Sequence, residues 1–233
     1  MAERQIVAMG GGGFSMEPDN RALDDFVLRL TGRARPKICF LPTASGDVAT
    51  YIVKFYEAFR GRAEPSHLDL FTRTGPDIRS FILDQHAIYV GGGNTANLLA
   101  IWRTHGVDTI LADAWRKGIV LTGLSAGAIC WFNSGVTDSL GPELGPLTGA
   151  LGLLPGSFCP HYDGEPGRRP AFHRFVADGG LAGGWAADDG AAIHFVGTEV
   201  REIVASRPGA AAYRVDRRRG RAAERRLDAR LLV

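Results

Sequence analysis

The first half of the chain alternates short apolar runs, which are typical of buried strands, with longer stretches that carry apolar residues at helical spacing. The short runs lie at residues 5–9, 37–41, 66–70, 87–90 and 119–121. The longer stretches lie at residues 20–30, 49–59, 78–83, 95–104 and 107–116. This alternation predicts an α/β fold in which a parallel sheet carries helices on both faces. Active sites of such folds lie at the C-terminal ends of the strands.

After residue 133 the pattern becomes less regular. Residues 133–170 are rich in glycine, proline and serine, which predicts long ordered loops. A helix is predicted at residues 171–177, after the break that Pro170 introduces. Closing strands are predicted at residues 191–196, 199–205 and 211–215.

The length and composition favour one globular domain. Neither a repeat nor a linker divides the 233 residues, so we expect a single domain over residues 1–233, with a basic C-terminal segment at residues 217–233. The arginines of this segment are interleaved with acidic residues, which is typical of a solvated surface. A net charge of +2 gives no reason to expect a nucleic-acid partner.

Two features indicate the compartment. No apolar run approaches the roughly 20 residues that span a bilayer, and the N-terminal residues lack the long apolar core of a signal peptide. Cys39, Cys130 and Cys159 lie in or beside apolar segments, which favours buried free thiols over disulfides. We therefore expect a cytoplasmic protein without a membrane partner. Its oligomeric state stays open, a homodimer included.

The segment Gly123-Leu124-Ser125-Ala126-Gly127 follows a predicted strand and precedes an apolar helix start. A Gly-x-Ser-x-Gly turn in this context is typical of a nucleophile elbow, because the glycines let the backbone bend sharply. The N–H of Ala126 would then supply one donor of an oxyanion hole. A tight turn with a capping serine is the alternative.

A nucleophilic serine needs a base, and the base needs an orienting carboxylate. Among six histidines, His161 stands out because it follows an apolar run that ends at a proline, close to another predicted strand end. A structural role for this histidine is the alternative. The carboxylate stays open among residues of the nearby turns, which are Asp138, Glu143, Asp163, Asp188 and Asp189.

A glycine-rich loop follows the predicted strand at residues 87–90. Its glycines permit close approach of the backbone to a ligand, so Gly92 can supply a second oxyanion N–H. A phosphate cradle or a simple turn are the alternatives. The loop is no Walker motif, since no Gly-Lys-Ser/Thr follows, and the glycines at residues 10–13 do not match a dinucleotide fingerprint.

Three ordered motifs together resemble the peptidase E and cyanophycinase family of serine peptidases. They are Val90-Gly91-Gly92-Gly93-Asn94-Thr95 with Leu98-Leu99, then Gly123-Leu124-Ser125-Ala126-Gly127-Ala128, and then Pro160-His161-Tyr162. Residues 41–45 and 188–190 also fit, so the resemblance covers residues 5–200. It implies a flavodoxin-like α/β fold related to class I glutamine amidotransferases, a small peptide as substrate, and no metal or cofactor.

The resemblance also implies a catalytic triad of Ser125, His161 and an acidic residue. That residue falls on Asp189, where well-known members of the family carry glutamate, which is one methylene longer. Asp138, which lies between Ser125 and His161 in the chain, is the alternative. The implied oxyanion donors are the N–H groups of Gly92 and Ala126.

Aspartyl dipeptidases of this family bind the acidic side chain of the substrate through an arginine that follows the catalytic histidine. Arg168 and Arg169 are the candidates here, and Asn94 is a further candidate for substrate binding. The leading hypothesis is a serine-type peptidase that cleaves short peptides, dipeptides with an N-terminal aspartate among them. The alternatives are an exopeptidase of other end specificity, a cyanophycinase-like β-aspartyl-arginine hydrolase, and a catalytically silent amidotransferase-like binding domain.

Overall fold

The structure, a computed structural model, describes residues 3–72 and 77–233, so Met1 and Ala2 of the N-terminal segment lie outside it. The described strands are β1 (Gln5–Met9), β2 (Lys37–Leu41), β3 (Glu64–His67), β4 (Ala87–Val90), β5 (Val120–Leu124), β6 (Phe132–Thr137), β7 (Gly145–Thr148), β8 (Leu154–Cys159), β9 (Gly184–Ala187), β10 (Ala191–Val196), β11 (Glu199–Ala205), β12 (Ala211–Arg218), β13 (Arg221–Asp228) and β14 (Arg230–Leu231). The described helices are α1 (Gly13–Met16), α2 (Ala22–Leu30), α3 (Ala49–Phe59), α4 (Ile78–Leu83), α5 (Thr95–His105), α6 (Val107–Arg116), α7 (Ala126–Ile129), α8 (Arg168–Asp178) and a short 3₁₀ helix at Thr43–Ser45.

Eight strands form the main sheet, in the order β14-β11-β10-β1-β5-β4-β2-β3. The five strands from β1 to β3 in this order are parallel, which confirms the predicted α/β core. β10 pairs with β1 antiparallel, and β11 returns beside β10. A two-residue turn with Gly197 at φ 62° joins β10 to β11 as a hairpin, so β11 runs antiparallel to β10.

Helices cover both faces of the main sheet, as predicted. Side chains along a strand point to alternate faces, so Val7 and Met9 of β1 pack with α1, α2 and α3. Ile6 and Ala8 point the other way, into the cluster that contains α4 to α7. No helix within the described ranges combines the length and the apolar character that crossing a bilayer requires.

A second sheet, absent from the sequence prediction, has the order β13-β12-β9-β8-β6-β7. Residues 133–170, predicted to contain long ordered loops, have loops at 138–144, 149–153 and 160–167 but also contain β7, β8 and most of β6. The prediction missed these strands because glycine and proline interrupt them, and because β8 pairs with segments more than 20 positions away. Phe132 stacks on Phe158 at 5.0 Å between ring centres and meets the edge of Phe195 in β10 at 5.8 Å. The two sheets therefore share a core, and α8 covers the outer face of the second sheet.

Several boundaries differ from the predicted ones. The strand expected at residues 66–70 is β3, which begins earlier because Glu64 pairs in register with Lys37 of β2. α8 begins before Pro170, since proline is tolerated in the first helical turn, where its missing N–H has no helical partner. The arginine-rich stretch from residue 217 to residue 230 belongs largely to the hairpin of β12 and β13.

The three cysteines are buried and unpaired, as predicted. Burial raises the pKa of the Cys39 thiol to about 12 and shifts the pKa values of Cys130 and Cys159 in the same direction. Neutral thiols of this kind behave as small apolar side chains in the core.

Replacing Gly184 tests the tight contact between β8 and β9. A Cβ at Gly184 would overlap with the main-chain carbonyl of Ser157, which cannot move as the end of a side chain can. We expect Gly184→Ala to lower the free energy of unfolding by about 1–3 kcal/mol, measured by denaturant titration. Gly141→Ala is the control, because a Cβ there meets no atom of the described residues within 4 Å. Equal stability of the two variants would contradict the close packing of these strands.

Candidate active site

Ser125 lies at the turn between β5 and α7, the context that the sequence predicted. Its backbone has φ 54° and ψ −117°, a conformation that few residues other than glycine adopt. Two glycines make the turn sterically accessible. A Cβ at Gly123 would overlap with the carbonyl oxygen of Gly127, and a Cβ at Gly127 would overlap with that of Val90. This strained turn presents a half-buried serine at the C-terminal end of the sheet.

His161 and Asp189 form a hydrogen-bonded pair. The Nδ1 atom of His161 lies 2.6 Å from Oδ1 of Asp189. An ionised carboxylate only accepts, so Nδ1–H donates and Nε2 of a neutral imidazole keeps its lone pair. Asp138, the alternative partner, lies exposed after β6 and makes no such bond. Among the predicted carboxylates, the structure therefore brings Asp189 to the histidine.

The aspartate reaches the histidine because the surrounding backbone approaches it closely. A Cβ at Gly11 would overlap with Oδ1 of Asp189 and would lie 2.9 Å from Nδ1 of His161. A Cβ at Gly164 would overlap with Oδ2 of the same carboxylate. Glycine at both positions therefore lets the main chain approach the carboxylate of Asp189, whose side chain is one methylene shorter than that of glutamate. The glycines after β1 are visible in the sequence, but no local pattern connects them to this pair.

Three successive carbonyls at the end of β1 accept hydrogen bonds from the three segments of the site. Ser125 N–H donates to the Met9 carbonyl at 3.3 Å, and His161 N–H donates to the Gly10 carbonyl at 3.3 Å. Gly190 N–H, next to Asp189, donates to the Gly11 carbonyl at 3.0 Å. Successive carbonyls of an extended chain point to opposite sides, so Ser125 and His161 flank the end of β1. Ser125 Oγ itself has no hydrogen-bond partner among the described residues.

The other predicted carboxylates have different surroundings. Asp163 accepts from the N–H of Asp189 through Oδ1 at 2.8 Å. Asp188 is buried and accepts from Ala211 N–H at 3.0 Å, and its burial, together with the charge of Asp163, raises its pKa. Glu143 is exposed on the loop between β6 and β7. Asp163 thus supports Asp189 rather than replacing it.

The glycine-rich loop after β4 lies against the elbow. A Cβ at Gly92 would lie 3.4 Å from the Cβ of Ser125. The N–H of Gly92, a predicted oxyanion donor, donates to Oη of Tyr51 at 3.3 Å, a contact that the sequence did not indicate. Within residues 3–72 and 77–233, the N–H groups of Gly93 and Ala126 have no acceptor. The loop therefore has an engaged donor, the Gly92 N–H, beside Ser125, and an unengaged donor, the Gly93 N–H, at the next position.

Asn94 and the two arginines have intramolecular partners. Asn94 accepts from Asn97 N–H at 2.8 Å as the cap of α5 and donates to the Ser139 carbonyl at 3.1 Å. Arg168 is buried and donates to Glu165 at 2.6 Å and to the Val136 carbonyl at 2.9 Å. Arg169 pairs with Glu224 on β13. Their roles in substrate binding remain predictions.

Glu224 collects several donors around the exposed Arg169. Tyr162 donates through its hydroxyl at 2.7 Å, and His173 contacts the same carboxylate at 2.8 Å. Although burial alone would raise the pKa of Glu224, the hydrogen bonds from Tyr162, His173 and Arg169 lower it. Arg169 therefore already holds one carboxylate, in the manner expected for a substrate carboxylate.

One cavity of the protein lies away from the candidate active site. A cavity of about 290 Å³ between α1, α2 and α3 is lined by residues that include Phe14, Asp24 and Lys54, but by none of Ser125, His161 and Asp189. In the part of the chain that the structure describes, no cluster of three or more histidine, cysteine or acidic side chains could hold a metal ion.

Comparison with known proteins gives the family. The family model of peptidase family S51 matches residues 6–203. The uncharacterized peptidase YgaJ of Bacillus subtilis is 56% identical over 215 residues, which cover 91% of this chain and 92% of that protein. Peptidase E of Streptomyces coelicolor is 34% identical over 150 residues, which cover 63% of this chain and 59% of that protein.

A solved structure shows the same fold. The crystal structure of a peptidase from an acI-B1 Actinobacterium superposes with a TM-score of 0.72 at 19% identity, covering 97% of this chain and 95% of that one. This similarity confirms the α/β fold expected from the resemblance to the peptidase E and cyanophycinase family. The family model over residues 6–203 and the 56% identity to YgaJ show that the chain belongs to peptidase family S51 and is a peptidase E-like serine peptidase.

Proposed function

We propose that the chain hydrolyses short peptides through an acyl-enzyme, with Ser125 as nucleophile, His161 as base and Asp189 as the orienting acid. The observation that carries the proposal is the 2.6 Å contact between His161 Nδ1 and Asp189 Oδ1, beside a serine held in an elbow. A pair of this kind fixes the tautomer in which Nε2 can accept the serine proton.

The chemistry follows from these roles. Oγ of Ser125 attacks the peptide carbonyl carbon while Nε2 of His161 takes its proton. The tetrahedral intermediate collapses when the imidazolium returns this proton to the leaving amine, and an acyl-Ser125 ester remains. Water then attacks the ester with the same base, so that the acid product leaves and the serine regains its proton. Asp189 stabilises the imidazolium in both halves of the reaction.

We assign the oxyanion hole to the N–H groups of Ala126 and Gly92. The Ala126 N–H follows the nucleophile directly and has no acceptor among the described residues. The Gly92 N–H would exchange the Tyr51 hydroxyl for the oxyanion, which as a charged acceptor binds more strongly than a neutral hydroxyl. The neighbouring N–H of Gly93 is the unengaged alternative on the same loop.

Dipeptides with an N-terminal aspartate are the proposed preferred substrates. Arg169 is the better candidate for binding the acidic side chain of the substrate, because half of the Arg169 side chain is exposed whereas Arg168 is buried. Arg169 would exchange Glu224 for the substrate carboxylate, a like-for-like replacement of one acceptor by another. Asn94 lies on the loop next to Gly92 and contributes to substrate binding there.

Ser125→Ala tests the nucleophile. Without Oγ no acyl-enzyme forms, so we expect peptide hydrolysis to fall about 10⁶-fold, with little change in unfolding temperature. A fluorophosphonate probe should label the native protein at Ser125 and leave the variant unlabelled, which also excludes a catalytically silent domain. Ser66→Ala, at the edge of the same sheet, is the control and should retain activity. Unchanged hydrolysis by Ser125→Ala would overturn the assignment.

Asp189→Asn tests the orienting acid. An asparagine amide favours the wrong imidazole tautomer, so kcat should fall by about 10⁴. Asp138→Asn is the matched control, and its kcat should remain close to that of the native enzyme. The opposite ranking of the two variants would transfer the role to Asp138.

Arg169→Ala tests the substrate preference. If Arg169 binds the substrate carboxylate, its loss should cost about 2–5 kcal/mol in kcat/KM for peptides with N-terminal aspartate and much less for neutral peptides. Arg174→Ala, an exposed arginine on the same helix that stacks on Phe175, should change neither value. Equal losses on acidic and neutral peptides would assign Arg169 a role in the structure instead.

A further inference from the structure

One ion pair holds the main chain of Asp189 from both sides. Asp163 accepts from the N–H of Asp189 through Oδ1 at 2.8 Å. Arg207 donates through Nε to the carbonyl oxygen of Asp189 at 2.8 Å. The two side chains also bind each other, through Nη2 of Arg207 and Oδ2 of Asp163. The pair thus closes a hydrogen-bonded ring around the main-chain groups of Asp189.

The pair joins three separate segments of the chain at the candidate active site. Asp163 lies two residues after His161, in the loop between β8 and α8. Asp189 lies between β9 and β10, and Arg207 lies between β11 and β12. The loop that carries the base is therefore tied to the loop that carries the acid. A relative movement of these loops would change the distance between the imidazole and the carboxylate.

Arg207 is also the cation beside a group of acidic side chains. Asp163, Asp188 and Asp189 each interact electrostatically with its guanidinium. Like charges at short range repel, so a counter-charge favours the close arrangement of these carboxylates. A positively charged residue at position 207 therefore helps to keep Asp189 near the histidine as well as holding its main chain.

If the ion pair of Asp163 and Arg207 served only the stability of the fold, its loss would have little effect on the catalytic step. The side chains of Arg207 and Asp163 are 41% and 37% exposed, and ion pairs of such exposure contribute little to stability. Arg230 and Glu202 form a comparable surface pair, with side chains 58% and 33% exposed, away from the site. Hydrogen bonds to the main chain of Asp189 distinguish the first pair from the second.

We propose that Asp163 and Arg207 are positioning residues of the triad, which fix the main chain of Asp189 so that its carboxylate stays on Nδ1 of His161. The inference rests on the proposed function, since it needs Asp189 to act through His161. Neither residue touches the substrate, and both act on the catalytic step through the orientation of the imidazole.

The test compares Arg207→Gln, Asp163→Ala and the double variant with Arg230→Gln as the control. Misplacement of a catalytic group by about 1 Å costs on the order of 10²-fold, so we expect kcat to fall about 10- to 100-fold in each single variant. KM and the unfolding temperature should change little. The double variant should lose about as much as the more severe single variant, because the two residues act as one unit. Arg230→Gln should keep the native kcat.

Arg207→Lys adds a conservative rescue. Lysine keeps the positive charge beside the three carboxylates but lacks the planar fork that bridges Asp163 and the Asp189 carbonyl. We expect its kcat to lie between those of the native enzyme and Arg207→Gln. A native kcat in Arg207→Gln and in Asp163→Ala would overturn the inference, as would losses that multiply in the double variant. If Ser125→Ala remains active, the proposed function itself fails, so the two failures are distinguishable.

Discussion

The candidate active site depends on the end of one strand. After β1 the main chain offers three successive carbonyls, of Met9, Gly10 and Gly11, and each accepts a hydrogen bond from a different segment of the site. A Cβ at Gly10 would overlap with main-chain oxygens of Ala187 and Asp188, so this approach requires glycine. The strand thereby acts as the common reference for serine, histidine and aspartate, whose relative positions no single local motif could set.

Close packing of the main chain explains how the aspartate reaches His161 at a position where the family resemblance implies glutamate. Gly11 and Gly164 leave no side chain between the backbone and the Asp189 carboxylate. The missing methylene is compensated by a backbone that comes nearer, and the ion pair of Asp163 with Arg207 holds that backbone at its peptide groups. A glutamate at position 189 would collide with His161 unless the loop between β9 and β10 moved outward.

The elements that the sequence predicted correctly are those whose structure depends on a local pattern of residues. Helices such as residues 49–59 and 107–116, and the strand–turn–helix around Ser125, have periodicity or turn chemistry that does not depend on distant partners. The second sheet could not be predicted, because strands such as Leu154–Cys159 have a weak β pattern and pair with segments more than 20 positions away in the chain. The partners of Arg169 and Arg207 were hidden for the same reason, since Glu224 and Asp163 lie far away in the chain. Neither ion pair has a sequence signature.

The hydrogen bonds at the end of β1 join residues that lie far apart in the sequence, and this affects how the molecule acquires activity during folding. Each of the three hydrogen bonds at Met9, Gly10 and Gly11 joins residues more than a hundred positions apart. Contacts of this sequence separation close large loops and form slowly, so β1 receives these partners only when the segments up to Gly190 are available. A chain in which these contacts have not formed therefore contains the proposed nucleophile, Ser125, apart from its proposed base, His161. If the proposed roles hold, hydrolysis begins only with the assembled fold, and activity reports that these long-range contacts have formed.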